Sequence, residues 1–499
     1  MDRNFTKRLL DGNRGGFAMS APKLVLVSNR IPITFTTEDG KLRGVPSSGG
    51  LVSALEPLLK DHGGIWVGSG GTEDSPQIRK ILEKASGDSP YKYAPLFLTE
   101  EEQSNFYEGF SNEIVWPLFH DLQSRCNFDP RYWDFYERVN RKFADAVARA
   151  SRPGDLIWIH DYQLMQVGKT LRCRRPKARL AFFLHIPFPS PDIFAKLPWR
   201  QQILEDLLAH DLVGVQTGRD QRNLIACLRC FVPSVKISGR GESRMVISAH
   251  GHTHIESFPI SIDFRAFSEQ SESAPVVERA KQIKAKTHDI QITVGVDRLD
   301  YTKGIPERLK AFGYFLRNYP HFHRKVELIQ IVVPSREGIP RYDQLKREVE
   351  RLVTHVNGEF SEPGWVPINY IYRSVPRDEL VAIYRAADVA LITCLKDGMN
   401  LVAKEYCAAK TEVNGVLVLS EFAGAAPELR VGAILVNPND EVGVAAALKQ
   451  ALEMKPEERR RRMLRLRQQI RQADILAWRD RFFEALEKTG AAAMPAGFM

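Results

Sequence analysis

The 499 residues carry a net charge of +9, with 43% hydrophobic and 26% charged residues. This is the composition of a soluble globular protein, long enough for at least two domains. No apolar run approaches the ~20 residues of a membrane span, the polar stretch from Met1 to Pro22 lacks the apolar core of a secretory signal and reads as a disordered lead-in, and six scattered cysteines form no disulfide framework and fit a reducing cytoplasm.

In chain order, residues 23–28 open a series of short β-rich runs. Ser28-Asn29-Arg30 follows, then a polar excursion, then Ser47-Ser48-Gly49-Gly50-Leu51, where a double glycine at a helix start permits close approach by an anion. Trp66, Tyr107 and Trp116 are candidate apolar platforms for a sugar ring, though each alone is more often core. Residues 136–150 read as a helix and Leu156–His160 as a strand running into His160-Asp161-Tyr162. Gly168-Lys169-Thr170 resembles the end of a P-loop, but Gln163 stands where the leading glycine belongs, so it reads as helix surface. A second strand, 180–185, ends in His185-Ile186-Pro187-Phe188-Pro189; a helix over 203–209 and a strand over 212–216 follow. Two strands ending in His-Asp and in His at one rim point to an active site. Cys227 and Cys230 fall in helical residues 223–231 and read as buried thiols on one face. Residues 239–253 read as a loop or hairpin leading into strand-like 255–258. There His250, His252 and His254 alternate, but no carboxylate or thiol completes a tetrahedral metal set.

Residues 258–263 look like a linker, after which the alternation restarts. Strands are expected at 290–296, Val326–Val333, Ile368–Tyr372, 389–393, 416–419 and 433–436, with helices at Ile305–Asn318 and 342–356. Strand–helix alternation predicts parallel, doubly wound sheets. The expected architecture is α/β: two Rossmann-like domains, 23–258 and 264–476, facing a central cleft, with helical residues 477–490 crossing back to the first.

The chemistry concentrates on strand-end loops. Arg298-Leu299-Asp300-Tyr301-Thr302-Lys303-Gly304 follows a strand and precedes a helix, so Arg298 and Lys303 sit where two fixed cations hold a diphosphate without a metal. The next strand ends in Pro334-Ser335-Arg336, a third cation at the same rim. After strand 389–393 comes Asp397-Gly398-Met399-Asn400-Leu401-Val402, with Glu405 about one turn into the following helix. Two carboxylates and free backbone N–H groups at a helix start suit a polyhydroxylated ligand. No G-x-G-x-x-G follows the first strand, which weighs against a dinucleotide enzyme. The run Arg459–Arg462 reads as a solvated helix face, and no nucleic-acid motif accompanies it.

Together these motifs resemble the trehalose-6-phosphate synthase family of retaining sugar-nucleotide glycosyltransferases, over about Leu24 to Phe483. The resemblance implies a GT-B fold and transfer of glucose from a nucleotide diphosphate to glucose 6-phosphate with the α configuration kept. It implies that Arg298 and Lys303 stabilise the leaving diphosphate and that Gly50 lies against it. Glu405 would hold the donor ribose, and Asp397 with the backbone from Gly398 to Val402 the transferred glucose. His185 would contact that sugar near its anomeric carbon. Arg30 and Arg336 would clamp the acceptor's phosphate, with Tyr107, Trp116, Asp161 and Trp66 lining its pocket. Loops such as Arg373-Ser374-Val375-Pro376 would read the base by backbone, which leaves uracil, adenine and guanine open. No cofactor or obligatory metal is implied, the nucleotide-glucose being a co-substrate, and neither nucleic acid nor membrane is an expected partner. The oligomeric state is open, a homo-oligomer included. Related glucosylglycerol-phosphate synthases share the second-half pattern but lack the Ser28-Asn29-Arg30 and Arg336 features. Cyclitol-coupling relatives and a catalytically silent sugar-phosphate sensor of the same fold are further readings.

Overall fold

The computed structural model describes residues 23–489 except 39–40, 47–51, 53–54, 57–58, 61–62, 240, 242, 287–289 and 337–338. The lead-in 1–22 and the Ser47–Leu51 motif with Gly50 therefore lie outside the described residues. The chain forms two compact units: one takes the chain up to Pro259 and again from Trp478, the other is Ile260–Ala477.

The first unit is built on a nine-stranded sheet among the described residues. In spatial order it runs Lys92–Leu96, Ile65–Ser69, Leu24–Arg30, Leu156–His160, Arg179–Phe183, Leu212–Val215, Gly251–Ser257, Ser243–Ser248, Lys236–Ser238. From Lys92–Leu96 to Gly251–Ser257 every pairing is parallel; the last two are antiparallel. Parallel strands are covered on both faces, which is why Leu156–His160 and Leu212–Val215 are apolar runs buried at every residue. Along Leu24–Arg30 burial lasts five residues and then fades, so Asn29 and Arg30 emerge at the sheet's C-terminal edge. Residues expected as a loop or hairpin at 239–253 form that antiparallel edge hairpin. The polar excursion after the first strand is a separate hairpin, Ile33–Glu38 with Lys41–Pro46. From Trp478 the last helix packs on this unit: Trp158 stacks on Phe482 at 4.2 Å and on Trp478 at 5.4 Å, while the Trp478 indole donates to Phe258 O at 3.0 Å.

Two local expectations are corrected. Gly168 is buried rather than on a helix surface, because helix Val167–Arg174 lies against His210; a Cβ on Gly168 would fall 2.2 Å from His210 Nε2. Cys227 is buried on helix Gly218–Phe231, but Cys230, three residues on, is exposed, the edge of the buried face running between them.

The second unit holds a six-stranded parallel sheet in the order Ile368–Tyr372, Val326–Val333, Gln291–Arg298, Val389–Ile392, Val416–Ser420, Ile434–Val436. The order reverses direction of growth at Gln291–Arg298 and Val389–Ile392, the switch point where open α/β sheets take ligands outside the strands' carboxyl ends. Both strands next to the switch carry the sequence-predicted loops. Helix Ile305–Asn318 starts from Gly304 in the left-handed region (φ 61°), where a Cβ would fall 2.1 Å from Thr393 O, so only glycine joins these two loops so closely.

Candidate functional site

In the first unit the candidates gather at the C-terminal edge of the sheet. Ser28 Oγ donates to Arg30 O at 2.7 Å and accepts from the Trp66 indole at 2.8 Å. Trp66 is 0% exposed, so it offers no face to a ligand; its role in this structure is to fix the turn that presents Arg30. Gly68 allows that turn, since a Cβ there would lie 2.6 Å from Ile31 N. The Arg30 guanidinium sits 5.9 Å from the centre of the Tyr107 ring, within cation–π range.

Tyr107 lies on a π-helix, Gln103–Val115, a form that concentrates at functional sites. Asn112 Nδ2 donates to Tyr107 O at 2.7 Å, and Asn112 Oδ1 accepts from Tyr162 Oη at 3.0 Å. Trp116, buried at the end of the same segment, packs 5.7 Å from the Tyr162 ring. Tyr107 and Trp116 are thus tied to the residue after Asp161. Asp161 itself has φ 77° and ψ 166°, a region essentially reserved for glycine and costing roughly 1–3 kcal/mol. Among its bonds, Asp161 N donates to Phe183 O at 2.8 Å, and its Oδ1 accepts from His185 N at 3.2 Å.

His185 and the fully buried His160 meet at 3.1 Å, Nε2 to Nδ1. Burial pushes His185 down to about 3. Burial, with His185 alongside, holds His160 well below the ordinary histidine value. Both rings are neutral at neutral pH, so His185 meets a substrate as a hydrogen-bonding ring and not as a cation.

In the second unit three loops are stitched together. Lys303, in the turn Tyr301–Lys303, places Nζ 2.6 Å from Asp397 Oδ2. Burial works against its charge, but Asp397 outweighs it and lifts Lys303 above the ordinary lysine value. Leu395 N donates to Thr302 O at 2.8 Å, binding the same two loops through backbone. On the other side Gly424 N donates to Asp397 O at 3.0 Å and Ala425 N to Met399 O at 2.8 Å. A Cβ on Gly424 would lie 1.8 Å from Gly398 O. Asn400, at φ 83°, caps helix Leu401–Ala409 by accepting from Ala403 N at 3.1 Å, and its Nδ2 donates to Asp397 Oδ2 at 3.2 Å. Leu401 and Val402 therefore begin the helix directly above the Asp397 turn.

Arg298 ends its strand exposed at this rim. Glu405, in the second turn of the helix, keeps a partly exposed edge and accepts from Tyr384 Oη at 3.2 Å. Burial raises its carboxyl above the usual range, with Tyr384 and then Arg377 working the other way. Val375 sits half-buried between strand Ile368–Tyr372 and helix Arg377–Ala386. Arg336 has φ 52° and is engaged from two sides: Nη1 lies 3.2 Å from Asp300 Oδ2 and bonds Tyr342 Oη, leaving the side chain 6% exposed. Although burial opposes it, Asp300 is held below the ordinary carboxylate value by Arg336 and Arg298.

Sequence reasoning missed the residues that orient these groups: Asn112 and Tyr162 in the first unit, Asp300, Tyr342 and Tyr384 in the second. Asp300 and Tyr162 carried a signal, standing in the motifs Arg298–Gly304 and His160–Tyr162. Among the described residues no three His, Cys, Asp or Glu side chains converge as a metal-ligand set. A groove of about 920 Å³ lined by Arg79, Lys92, Phe97 and Arg149 touches none of the candidates.

The second unit thus brings the cations of Arg298 and Lys303 and the carboxylates of Asp397 and Glu405 to the C-terminal edge of its sheet. A family model described as Glycosyltransferase family 20 matches residues 22–488. The chain is 42% identical over 480 residues to a trehalose-6-phosphate synthase of Mycobacterium sp. (strain JLS), covering 94% of this chain and 97% of that protein. It is 42% identical over 472 residues to a trehalose-6-phosphate synthase of Mycolicibacterium smegmatis, covering 93% and 92%. Among solved structures it is similar to a UDP-forming α,α-trehalose-phosphate synthase of Burkholderia xenovorans in complex with glucose-6-phosphate. That similarity has a TM-score of 0.84 at 33% identity, covering 93% and 100%. An E. coli structure bound with UDP-2-fluoro glucose gives a TM-score of 0.84 at 35% identity, covering 95% and 100%.

Proposed function

The chain belongs to glycosyltransferase family 20 and has its GT-B fold of two Rossmann-like domains, and on that premise we propose that it transfers glucose from UDP-glucose to glucose 6-phosphate with retention, giving α,α-trehalose 6-phosphate. The observation that carries this reading is the Lys303–Asp397 pair at 2.6 Å. In this reading its cation serves the diphosphate and its carboxylate the sugar, at a rim that also holds Arg298 and Glu405. The similarity to proteins solved with glucose-6-phosphate and with UDP-2-fluoro glucose supports this choice of acceptor and donor.

In this reading the bond from the sugar's anomeric carbon to the diphosphate oxygen breaks, while a bond from the acceptor's anomeric hydroxyl forms on the same face. The acceptor proton passes to the departing diphosphate oxygen, so no protein carboxylate is needed as nucleophile. Arg298 and Lys303 stabilise the charge that gathers on the leaving group, which is where preorganised cations contribute most. Asp397 and the backbone from Gly398 to Val402 hold the glucose, Glu405 the ribose, and the backbone at Val375 the base. Neutral His185 donates or accepts one hydrogen bond at the sugar. Arg30, set by Ser28 and Tyr107, and Arg336 are each assigned to the acceptor's phosphate by their motifs, and Asp161, Tyr107 and Trp116 to the acceptor side. Gly50 is assigned to the donor phosphates by its motif alone.

The test is a panel of UDP-, ADP- and GDP-glucose against glucose 6-phosphate and glycerol 3-phosphate, reading nucleotide release. Release with UDP-glucose only when glucose 6-phosphate is present is expected. Activity with glycerol 3-phosphate alone overturns the acceptor assignment, and no transfer with any pair overturns the enzyme reading.

A further inference from the structure

Beneath the donor loops lies a charged group that the reaction above does not use. Arg308, in the first turn of helix Ile305–Asn318, is 0% exposed. Its Nη1 donates to Asp297 Oδ2 at 2.5 Å and to Gln330 Oε1 at 3.0 Å; its Nε donates to Thr393 Oγ1 at 3.1 Å. Thr393 Oγ1 in turn donates to Gly304 O at 3.2 Å. The strand interior makes room for it: a Cβ on Gly295 would fall 2.5 Å from Arg308 Nη1 and 2.7 Å from Gln330 Oε1. A glycine in mid-strand weakens the strand and commonly marks such a close approach.

Stability alone does not account for this guanidinium. A buried ion pair is generally replaced by apolar side chains without loss, and here Nη2 has no hydrogen-bond partner among the described residues, a further cost. Position does account for it. Asp297 immediately precedes Arg298, Gly304 immediately follows Lys303, and Thr393 directly follows the strand that leads into Asp397. Arg308 thus touches the roots of Arg298, Lys303 and Asp397, three of the groups assigned to the donor. Its contacts span three neighbouring strands: Gln291–Arg298, Val326–Val333 and, one residue past its end, Val389–Ile392.

We propose that Arg308, acting through Thr393 and Asp297, is a positioning residue that sets the separation of Arg298, Lys303 and Asp397 for the departing diphosphate. The inference rests on the glycosyl-transfer reading, since it assumes those three residues meet the donor. It assigns Arg308 no contact with substrate. Because the leaving group carries its full charge only as the bond breaks, a misplaced cation lowers turnover more than ground-state binding.

Arg308→Met leaves Asp297 buried without its counter-ion and is liable to misfold, so the decisive variant is Thr393→Val. It keeps the side-chain shape and removes the hydroxyl between Arg308 and Gly304. Thr393→Ser, which restores the hydroxyl, is its partner. Both are compared with the wild-type chain for kcat, for KM of UDP-glucose and glucose 6-phosphate, and for thermal midpoint. A displacement of about 1 Å costs on the order of 100-fold, so Thr393→Val is expected to lose about tenfold to 100-fold in kcat with the glucose 6-phosphate KM unchanged, and Thr393→Ser to recover most of it. A kcat within about twofold of wild type in Thr393→Val overturns the proposal, as does an equal loss in Thr393→Ser, which would track side-chain packing and not the hydroxyl. An inactive wild-type chain with every donor and acceptor would instead overturn the glycosyl-transfer reading beneath it.

Discussion

Replacing Tyr384 by Phe tests the donor site through a single hydrogen bond. The ring is 0% exposed and is retained; only the hydroxyl that donates to Glu405 Oε2 at 3.2 Å is lost. A hydrogen bond to a charged group contributes roughly 1.5–3 kcal/mol, and at this length the lower end applies. Losing it favours the protonated form, so the Glu405 carboxyl moves further up. Burial has already raised it and Tyr384 is the first of the groups opposing the rise, so the shift adds in the same direction. The ribose hydroxyls are held by the carboxylate form, so donor affinity is full above the Glu405 pKa and falls as pH drops through it. The UDP-glucose KM is measured against pH for both proteins. The acid limb in the variant is expected at higher pH than in the wild-type chain, with the glucose 6-phosphate KM unaltered. An unmoved limb, or a shift confined to the acceptor KM, refutes the assignment of Glu405 to the ribose.

Gly424→Ala forces a Cβ into the Gly398 carbonyl, now 1.8 Å away. The Asp397–Asn400 loop must move, and UDP-glucose affinity by calorimetry is expected to fall at least about tenfold. Trp66→Phe removes the indole N–H from Ser28. It is expected to cost about 1–3 kcal/mol in denaturant unfolding and to raise the glucose 6-phosphate KM while sparing that of UDP-glucose. His160, His185 and His210 are all held neutral by burial, His185 at about 3 and His210 at about 4. Their folded values lie below the unfolded 6.5, so the stability they contribute is complete above about pH 6.5 and is lost as pH falls toward those values. Denaturant midpoints measured across that window are expected to fall with acid, and His210→Asn to flatten the slope; an identical slope in the variant contradicts it.

The parts of the fold legible from sequence were those written as continuous burial. Leu156–His160 and Val389–Ile392 are strands because every neighbour covers them, and their apolar runs say so without tertiary information. Ile65–Ser69 and Lys92–Leu96 were not recognised: one is broken by Gly68, the other carries Pro95 at the sheet edge, where proline is tolerated. The π-helix over Gln103–Val115 has no local pattern that separates it from an α-helix. At the site, Arg298, Lys303, Asp397 and Glu405 were visible because strand-to-helix turns place them at the rim. The groups that orient them were not. Tyr384 reaches Glu405 across 21 residues, Asp300 reaches Arg336 across 36, and Tyr162 reaches Asn112 across 50. Such pairings are decided by how helices settle on a sheet, which hydrophobic periodicity leaves open.

The central claim is retaining transfer between two glucose units, and the anomeric configuration of the product tests it most directly. UDP-glucose and glucose 6-phosphate are incubated with the purified chain, and the new linkage is read from the anomeric proton couplings by NMR. An α,α-linked disaccharide phosphate, formed as UDP is released, is the predicted product. An inverted linkage at the transferred glucose, or UDP release without a disaccharide, would contradict the account.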